Sequence, residues 1–280
     1  MKRIVTIQDI SCVGKCSLTV ALPIISAMGV ETAVIPTAVL STHTAFKEFT
    51  FRDLTEDIPG IVNHWKKEGI DFDAIYTGYL GSFEQLKLVS GIFDEFRTED
   101  NLIFIDPVMA DHGKLYPGFT QEFADEMALL CKKADIIVPN MTEAAFMLNI
   151  PYVEEGYDED YIKDILKKLC GLGAKKAVLT GISFQEEELG VMSYDSETGE
   201  YFSYFNDKLP VNFHGTGDVF ASCCLGGLMN GLSLSDALKI AVDYTVESIR
   251  ITMKDENHRW YGVNFEQAFP FLLNELELLK

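Results

Sequence analysis

A glycine-rich segment directly before an apolar stretch has the residue types needed to handle an anion, and it reads Gly215-Thr216-Gly217-Asp218. A helix that begins here exposes unpaired N–H groups and a positive dipole end, and glycine lets a phosphate approach the backbone closely. We expect the helix dipole to lower the pKa of Asp218, which leaves the carboxylate as a modest base. A modest base is sufficient for phosphoryl transfer, because the attacking hydroxyl loses its proton late. The same four residues also suit an ordinary helix N-terminus.

Two further polar segments each follow a predicted strand. They read Asp106-Pro107-Val108-Met109-Ala110-Asp111 and Val138-Pro139-Asn140-Met141-Thr142-Glu143. Open α/β sheets bind their ligands at the carboxyl ends of the strands, so these positions favour a functional role. The alternative is that Asp106 only ends a strand and that Glu143 only supports a helix N-terminus. Three such segments in this context favour phosphate chemistry over chance.

The rest of the chain predicts a doubly wound α/β fold, because short β-branched runs alternate with amphipathic stretches. We expect a mainly parallel central sheet, helices on both faces and an antiparallel hairpin (189–194 and 201–205) at one edge. The other predicted strands are 3–8, 32–38, 74–77, 102–106, 136–138 and 176–180. The predicted helices are 16–28, 56–68, 83–97, 119–132, 141–148, 159–171, 218–230, 234–253 and 264–279. Together they predict a single domain over residues 1–280.

Composition and charge exclude several classes of protein. Hydrophobic residues make up 48% of the 280 residues, yet no apolar run is long enough to span a membrane. A net charge of −20 disfavours nucleic acids and anionic membranes as partners. The six cysteines contain no CxxC pair, and the N-terminal residues resemble a strand more than a signal peptide. We therefore expect a cytoplasmic protein.

The three polar segments occur in the order typical of ribokinase-like kinases, and the chain most resembles their pyridoxal kinase branch. The resemblance implies that the glycines form an anion hole and that Asp218 is the catalytic base. The segment from Asp106 to Asp111 is similar to the Asp-Pro-Val-Met-Gly-Asp of vitamin kinases, with Ala110 in place of the glycine. Glu143 matches the glutamate of a Pro-Asn-x-x-Glu motif that helps organise the metal. The resemblance thus implies a metal site at Glu143, Asp106 and Asp111.

Weaker similarities concern the phosphate acceptor. Tyr79 lies in a Thr-Gly-Tyr segment whose tyrosine flanks the pyridine ring in pyridoxal kinases, and Thr44 matches a residue that bonds the substrate. The opening Ile7-Gln8-Asp9-Ile10-Ser11 resembles the Ile-Gln-Ser start of pyridoxal kinases. Either Asp9 occupies the place of that serine, or Ser11 supplies the hydroxyl after a shift. An added carboxylate near the ring leads to the hypothesis that pyridoxamine is preferred.

The resemblance further implies the co-substrate and the cations. ATP would contact Asp106, Asn140, Glu143, Thr180, Thr216 and Gly217; Mg²⁺ would neutralise its phosphates, and K⁺ and a homodimer are implied in the same way. The expected reaction is phosphorylation of the 5′-hydroxymethyl group of pyridoxal, pyridoxine or pyridoxamine. The alternatives are a hydroxymethylpyrimidine kinase, a sugar or nucleoside kinase, and a non-catalytic regulator that binds a vitamin or a nucleotide.

Overall fold

The computed structural model describes residues 1–278 and contains a nine-stranded, mostly parallel sheet. The sheet order is β11-β10-β9-β8-β5-β4-β1-β2-β3, and β6 and β7 form a separate antiparallel pair. The strands are β1 Arg3–Ser11, β2 Glu31–Leu40, β3 Phe51–Asp53, β4 Ala74–Thr77, β5 Leu102–Ile105, β6 Ala110–Asp111, β7 Lys114–Leu115, β8 Ile136–Ile137, β9 Lys176–Ile182, β10 Glu188–Asp195 and β11 Tyr201–Asp207.

Helices occupy the intervals between most strands and much of the chain after β11. They are α1 Leu18–Ala27, α2 Ile58–Glu68, α3 Phe83–Phe96, α4 Gln121–Cys131, α5 Met141–Leu148, α6 Glu159–Gly171, α7 Thr216–Met229, α8 Leu234–Lys254 and α9 Phe269–Glu275. Side-chain caps fix several N-termini: Ser82, Asp158 and Ser233 each accept a hydrogen bond from a backbone N–H in the first turn of their helix. These caps satisfy N–H groups that have no partner within the helix.

The chain divides into two compact units. The first unit consists of Met1–Asp73 together with the chain from Asn206 onward, and the second is Ala74–Phe205. In the first unit, β1 and β2 pair in parallel and β3 pairs antiparallel to β2. In the second unit, β4, β5, β8 and β9 pair in parallel, and β10 runs antiparallel to β9. The buried side chains of both units are mainly aliphatic and aromatic.

The predicted fold class is confirmed, including the hairpin at one edge of the sheet. Three short strands, β3, β6 and β7, were not predicted from the sequence. The last helix is shorter than predicted, since Phe265–Ala268 is a 3₁₀ turn and α9 begins only at Phe269, with Pro270 in its first turn. Residue 279, the end of the predicted helix, lies outside the described residues. Among residues 1–278, no helix has the length and hydropathy to cross a membrane.

In the second unit, Asp135 is a buried charge that several groups compensate. Arg97 donates two hydrogen bonds of 2.8 Å to its carboxylate, the N–H of Ile103 donates one of 2.8 Å, and Lys175 lies 2.9 Å away. Although burial opposes ionisation, these partners lower the pKa of Asp135 below its ordinary value. The carboxylate therefore connects the end of α3 to β5 and to the start of β9.

We expect Asp135→Asn to lower the free energy of unfolding at neutral pH by about 2 to 3 kcal/mol, less than for a fully buried pair because Arg97 and Lys175 reach solvent. Because the pKa is lowered in the folded state, this stabilisation is present above the unfolded pKa of about 4 and is lost as the pH falls through the folded value. Urea titrations of both proteins at pH 7 and at acidic pH check this. Asp94→Asn, at an exposed pair with Lys133, is the control and should change stability little. Equal losses in both variants would contradict the expectation.

Candidate active site

The N-terminus of α7 is built on a glycine that no other residue can replace without distortion. Gly215 has φ +79°, and a Cβ atom there would lie 1.8 Å from the carbonyl oxygen of Lys15. Thr216 donates its hydroxyl to the carbonyl oxygen of Phe213 at 3.3 Å, which fixes the start of the helix. The first three N–H groups of α7 have no acceptor within the helix, so the segment can bind an anion as the sequence predicts.

Asp218 is the third residue of α7, and the residue as a whole is half-buried. Burial, together with the charge of Asp9, raises the pKa of Asp218 to about 7, although the N–H of Ser17 opposes the rise. The expectation of a pKa lowered by the helix dipole was therefore wrong. Desolvation and a second carboxylate outweigh the dipole, and the result is a base poised near neutral pH.

Asp9 and Ser11 lie at the end of β1 and are buried, with 5% and 1% of their surface exposed. The hydroxyl of Ser11 donates to the Asp9 carboxylate at 3.1 Å. Burial raises the pKa of Asp9, while hydrogen bonds from Ser17 and Ser11 counteract part of that effect. The structure thus brings Asp9, Ser11 and Asp218 together in the first unit. Both residues that the sequence offered as alternatives, Asp9 and Ser11, belong to this one hydrogen-bonded group.

Thr44 lies in the loop between β2 and β3 and is exposed. Its neighbour His43 is buried and accepts a hydrogen bond from the N–H of Ala45 at Nδ1, 3.1 Å away. The proton of the neutral ring is therefore on Nε2, which donates to the carbonyl oxygen of Tyr261 at 3.3 Å. Burial and the charge of His214 lower the pKa of His43, so the ring stays neutral at pH 7.

His43 belongs to an aromatic cluster that the sequence analysis did not find. Its ring centroid lies 4.9 Å from that of Phe46, 5.4 Å from that of His214 and 5.8 Å from that of Trp260. Phe46 also contacts Trp260 and Tyr261, at 4.6 and 5.6 Å. The adjacent aromatic residues Trp260 and Tyr261, within the otherwise polar stretch 255–262, are the sequence signal that could have indicated it. The cluster joins the β2–β3 loop to the segment that follows α8.

In the second unit, Glu143 and Asn140 form a reciprocal cap at the start of α5. The Asn140 side chain accepts from the N–H of Glu143 at 2.9 Å, and the Glu143 carboxylate accepts from the N–H of Asn140 at 2.8 Å and from that of Met109 at 3.2 Å. Asn140 also donates to the carbonyl oxygen of Ala110 at 2.9 Å. Burial raises the pKa of Glu143 to about 8, despite these donors. A nearby cation would keep this carboxylate ionised at neutral pH.

The other residues of the second unit that were predicted to contact ATP or its metal lie at three different positions. Asp106 is buried at the end of β5, where its N–H donates to the carbonyl oxygen of Thr77 at 3.0 Å. Asp111 is exposed at the end of β6, directly before the turn to β7, and its carboxylate accepts from the N–H of His112 at 2.8 Å. The N–H of Thr180 donates to the carbonyl oxygen of Pro139 at 3.0 Å, which sets Thr180 beside the α5 N-terminus.

Tyr79 follows β4 and is half-buried. Its ring lies 5.6 Å from the ring of Phe119, which in turn stacks on Phe123 at 4.1 Å. The hydroxyl of Thr77, at the end of the same strand, is buried and has no hydrogen-bond partner among residues 1–278. These contacts hold one edge of the Tyr79 ring in place and are compatible with the predicted role as an aromatic wall.

The described residues fit Mg²⁺ as an ion held mainly by phosphate and water. Among residues 1–278 no three His, Cys, Asp or Glu side chains group closely enough to hold a metal by themselves. Mg²⁺ commonly uses one or two carboxylates together with substrate phosphates and waters, and it neutralises phosphate charge when bound. Glu143 and Asp106 are the buried carboxylates that would supply this support.

We expect Glu143→Gln to lower the free energy of unfolding by about 1 to 3 kcal/mol, because an amide can accept only one of the two backbone N–H bonds. We also expect KM for ATP to rise if the carboxylate supports the metal. Denaturant titration and ATP kinetics at several Mg²⁺ concentrations check both effects. Glu159→Gln, at an exposed carboxylate in the first turn of α6 that pairs with Lys163, is the control. Equal behaviour of the two variants would contradict a special role for Glu143.

Comparison with known proteins identifies the family. The family model described as phosphomethylpyrimidine kinase matches residues 22–262. A crystal structure of a candidate phosphomethylpyrimidine kinase from Bacteroides thetaiotaomicron is 40% identical, covers 97% of this chain and 93% of its own, and superposes with a TM-score of 0.93. A second crystal form of that protein, described as containing pyridoxal, has a TM-score of 0.92 at the same identity, with 97% and 95% coverage.

Proteins named pyridoxal kinase match this chain over most of its length. The structure of pyridoxal kinase from Lactobacillus plantarum is 30% identical, covers 100% of this chain and 99% of its own, and has a TM-score of 0.90. The pyridoxal kinase of Arabidopsis thaliana is 26% identical over 271 residues, which is 92% of this chain and 85% of that protein. The chain is therefore a phosphotransferase that belongs to the phosphomethylpyrimidine kinase family and, within it, to the ribokinase-like pyridoxal kinases.

Proposed function

We propose that this protein transfers the γ-phosphoryl group of ATP to the 5′-hydroxymethyl group of a B6 vitamer. The observation that carries the proposal is the carboxylate of Asp218, whose pKa burial raises to about 7, in the first turn of α7 directly after Gly215-Thr216-Gly217. A general base works best when its pKa lies near the operating pH. The named pyridoxal kinases among the relatives and the relative described with pyridoxal support the choice of substrate.

Asp218 and the three residues before it have different roles in the proposed reaction. Asp218 accepts the proton of the attacking alcohol, and since it must be ionised to do so, the rate rises as the pH passes through about 7. The N–H groups of Gly215, Thr216 and Gly217 stabilise the negative charge that spreads over the transferring phosphoryl group. Their direction is fixed before the reaction, so no reorganisation opposes it.

We assign recognition of the vitamer to Tyr79, Thr44, Asp9 and Ser11. The Tyr79 ring offers an apolar face for a pyridine ring, and Thr44, Asp9 and Ser11 offer polar groups for its substituents. The ionised Asp9 carboxylate would favour a cationic amine, which keeps the hypothesis of a preference for pyridoxamine. Equal kcat/KM values for the three vitamers would reject that preference.

Binding of ATP is assigned to Asp106, Asn140, Glu143, Thr180, Thr216 and Gly217, with Mg²⁺ supported by Glu143, Asp106 and, less directly, Asp111. Asp111 is the weakest of these, because its carboxylate is exposed and bonded within its own turn. We further propose that the chain works as one kinase domain over residues 1–280, in a cytoplasmic homodimer, and that K⁺ assists. The absence of a CxxC pair among its six cysteines supports a reducing compartment.

A second candidate function is phosphorylation of a hydroxymethylpyrimidine, and the family description and the name of the 40% identical relative favour it. Both acceptors are flat heteroaromatic rings with a hydroxymethyl group, so the same base and anion hole would serve either. The environment of Tyr79 does not by itself separate a pyridine from a pyrimidine. The acceptor must be identified by measurement.

The test is ATP turnover with Mg²⁺ and K⁺ against pyridoxal, pyridoxine, pyridoxamine, hydroxymethylpyrimidine and ribose. We expect the highest kcat/KM for a B6 vitamer. A clear preference for hydroxymethylpyrimidine would support the second candidate and overturn the choice of vitamer while leaving the mechanism intact. Binding of vitamers without turnover of any acceptor would overturn the kinase proposal in favour of a binding protein.

A further inference from the structure

The β6–β7 hairpin carries Asp111 and is too short to hold itself in place. Each of its strands has two residues, and the turn between them consists of His112 and Gly113, at φ 48° and 73°. A two-stranded hairpin is marginally stable at best by itself. The position of the hairpin, and of the Asp111 carboxylate with it, is therefore determined by the groups to which it is bonded.

The start of α5 bonds the base of the hairpin through two residues of the candidate active site. The Glu143 carboxylate accepts from the N–H of Met109 at 3.2 Å, and the Asn140 side chain donates to the carbonyl oxygen of Ala110 at 2.9 Å. Met109 and Ala110 are fully buried. These two bonds fix the strand that leads to Asp111, but they act on residues before the turn.

Thr142 holds the turn itself. Its hydroxyl accepts a hydrogen bond from the N–H of Gly113 at 3.0 Å, and only 2% of its surface is exposed. Thr142 is the second residue of α5, and Asn140 and Glu143 already provide the cap of this helix. The Thr142 hydroxyl therefore serves the hairpin and not the start of its own helix.

Tyr152, which follows α5, packs against the same glycine. A Cβ atom at position 113 would lie 2.8 Å from Cδ1 and 3.1 Å from Cε1 of the Tyr152 ring, so the ring lies directly on the Gly113 backbone. The turn is thus held between Thr142 at the start of α5 and Tyr152 after its end. All of these residues belong to the second unit.

The Asp111 carboxylate moves with this turn. Its Oδ1 accepts from the N–H of His112 at 2.8 Å, while its Oδ2 lies 3.6 Å from Nε2 of His112, beyond the range of a hydrogen bond. Because 54% of the side chain is exposed, Oδ2 can bind a ligand. The charge of Asp111 also adds to the effect of burial in raising the pKa of Glu143, so a cation that faces both carboxylates would relieve their repulsion.

We propose that Thr142 is a positioning residue: by holding Gly113, it keeps the Asp111 carboxylate where the Mg²⁺ that accompanies ATP is bound. This inference rests on the proposed function, in which Asp111 and Glu143 support the metal of the bound nucleotide. Thr142 need not touch the nucleotide or the metal, because its effect passes through Gly113 and the turn to Asp111.

The experiment measures binding of ADP by calorimetry at several Mg²⁺ concentrations, which requires no phosphate acceptor. Thr142→Val keeps the shape of the side chain but removes the hydroxyl, and Thr142→Ser restores the hydroxyl. Asp111→Asn and the double variant Thr142→Val/Asp111→Asn complete the set. Hydrogen exchange at the Gly113 amide, followed by NMR, reports on the turn directly. Thermal unfolding shows whether each variant is folded.

Thr198→Val is the matched control. The Thr198 hydroxyl also accepts from a backbone N–H, that of Glu200 at 3.2 Å, in the turn between β10 and β11. The substitution therefore removes the same kind of hydrogen bond from a turn of the same unit that carries no residue of the candidate active site. It should change neither the binding of ADP nor the exchange at Gly113.

We expect Thr142→Val to raise the Kd for ADP at limiting Mg²⁺ by about threefold to tenfold, the size of the loss of one hydrogen bond, and saturating Mg²⁺ should reduce the difference. Exchange at Gly113 should become at least about tenfold faster. Thr142→Ser should restore both quantities. Asp111→Asn should raise the Kd by itself, and the double variant should bind no more weakly than Asp111→Asn, because Thr142 acts through that carboxylate.

An unchanged exchange rate at Gly113 in folded Thr142→Val overturns the inference, and so does an unchanged Kd at limiting Mg²⁺. Effects of the two substitutions that multiply in the double variant overturn it as well, because Thr142 would then act independently of Asp111. An equal rise of the Kd in Thr198→Val would trace the effect to general destabilisation and has the same consequence. In all these cases normal binding of ADP by the unaltered protein leaves the proposed function intact, whereas no binding at any Mg²⁺ concentration would overturn both.

Discussion

Asp218→Asn is expected to lower kcat for phosphoryl transfer by about 100- to 10,000-fold, the usual contribution of a general base. The amide has nearly the shape of the carboxylate but cannot accept the proton of the alcohol. KM for ATP should change little, because Asp218 acts on the acceptor. The rise of the rate through pH 7, expected from the pKa of about 7, should disappear in the variant. Initial rates with the best acceptor, measured from pH 5 to pH 9, check both effects.

Asp236→Asn is the matched control, because Asp236 is the third residue of α8 as Asp218 is of α7. It is exposed, and its carboxylate bonds to the nearby residues Ser233 and Lys239. Its replacement should leave kcat and the pH profile unchanged. A folded Asp218→Asn protein with nearly full activity, or one that keeps the same pH dependence, would show that another group accepts the proton.

Gly215→Ala is expected to destabilise the protein strongly and to abolish turnover. The added Cβ would lie 1.8 Å from the carbonyl oxygen of Lys15, and φ at +79° is unfavourable for alanine. The conformational cost and the forced displacement together amount to about 3 to 5 kcal/mol. Because the displaced backbone carries the N–H groups of the anion site, kcat should fall even in molecules that remain folded. Denaturant titration and single-turnover measurements check the two effects separately.

Gly231→Ala is the control for the conformational part of this effect. Gly231 follows the C-terminal end of the same helix, has φ +86°, and would place its Cβ in open space. We expect it to cost only about 1 kcal/mol, with unchanged kcat. If both variants were equally destabilised, the contact with Lys15 would not be the reason that position 215 requires glycine.

The long periodic segments were predictable from the sequence because the order of polar and apolar residues determines which face of each element is buried. The bounds of α5, α6 and β4 agree with the prediction to the residue. The strands β3, β6 and β7 are two or three residues long, too short for an alternating pattern. The turn between β6 and β7 has His112 at φ 48° and Gly113 at φ 73°, the positive values that a two-residue hairpin turn requires.

For the candidate site, the sequence predicted which residues take part, but it did not predict the environment of their side chains. Asp218 was found through its neighbouring glycines, yet its pKa depends on burial and on Asp9, 209 positions away in the chain, and local patterns carry no such information. Glu143 was found as a motif residue, and its two backbone donors became visible only when Met109 and Asn140 were located around it. The contact between the rings of His43 and Trp260 was not predicted, because the two residues lie far apart in the chain.

The two compact units have a consequence for the order of folding during synthesis. The second unit is one continuous stretch, Ala74–Phe205, whereas the first is built from both ends of the chain. A ribosome therefore releases all of the second unit while the first still lacks α7, α8 and α9. The side of α1 that packs against α7 stays uncovered until the last quarter of the polypeptide emerges, and during this interval the nascent chain is most exposed to aggregation. Truncation near the C-terminus should consequently be more harmful to expression than an equally long insertion in a surface loop of the second unit.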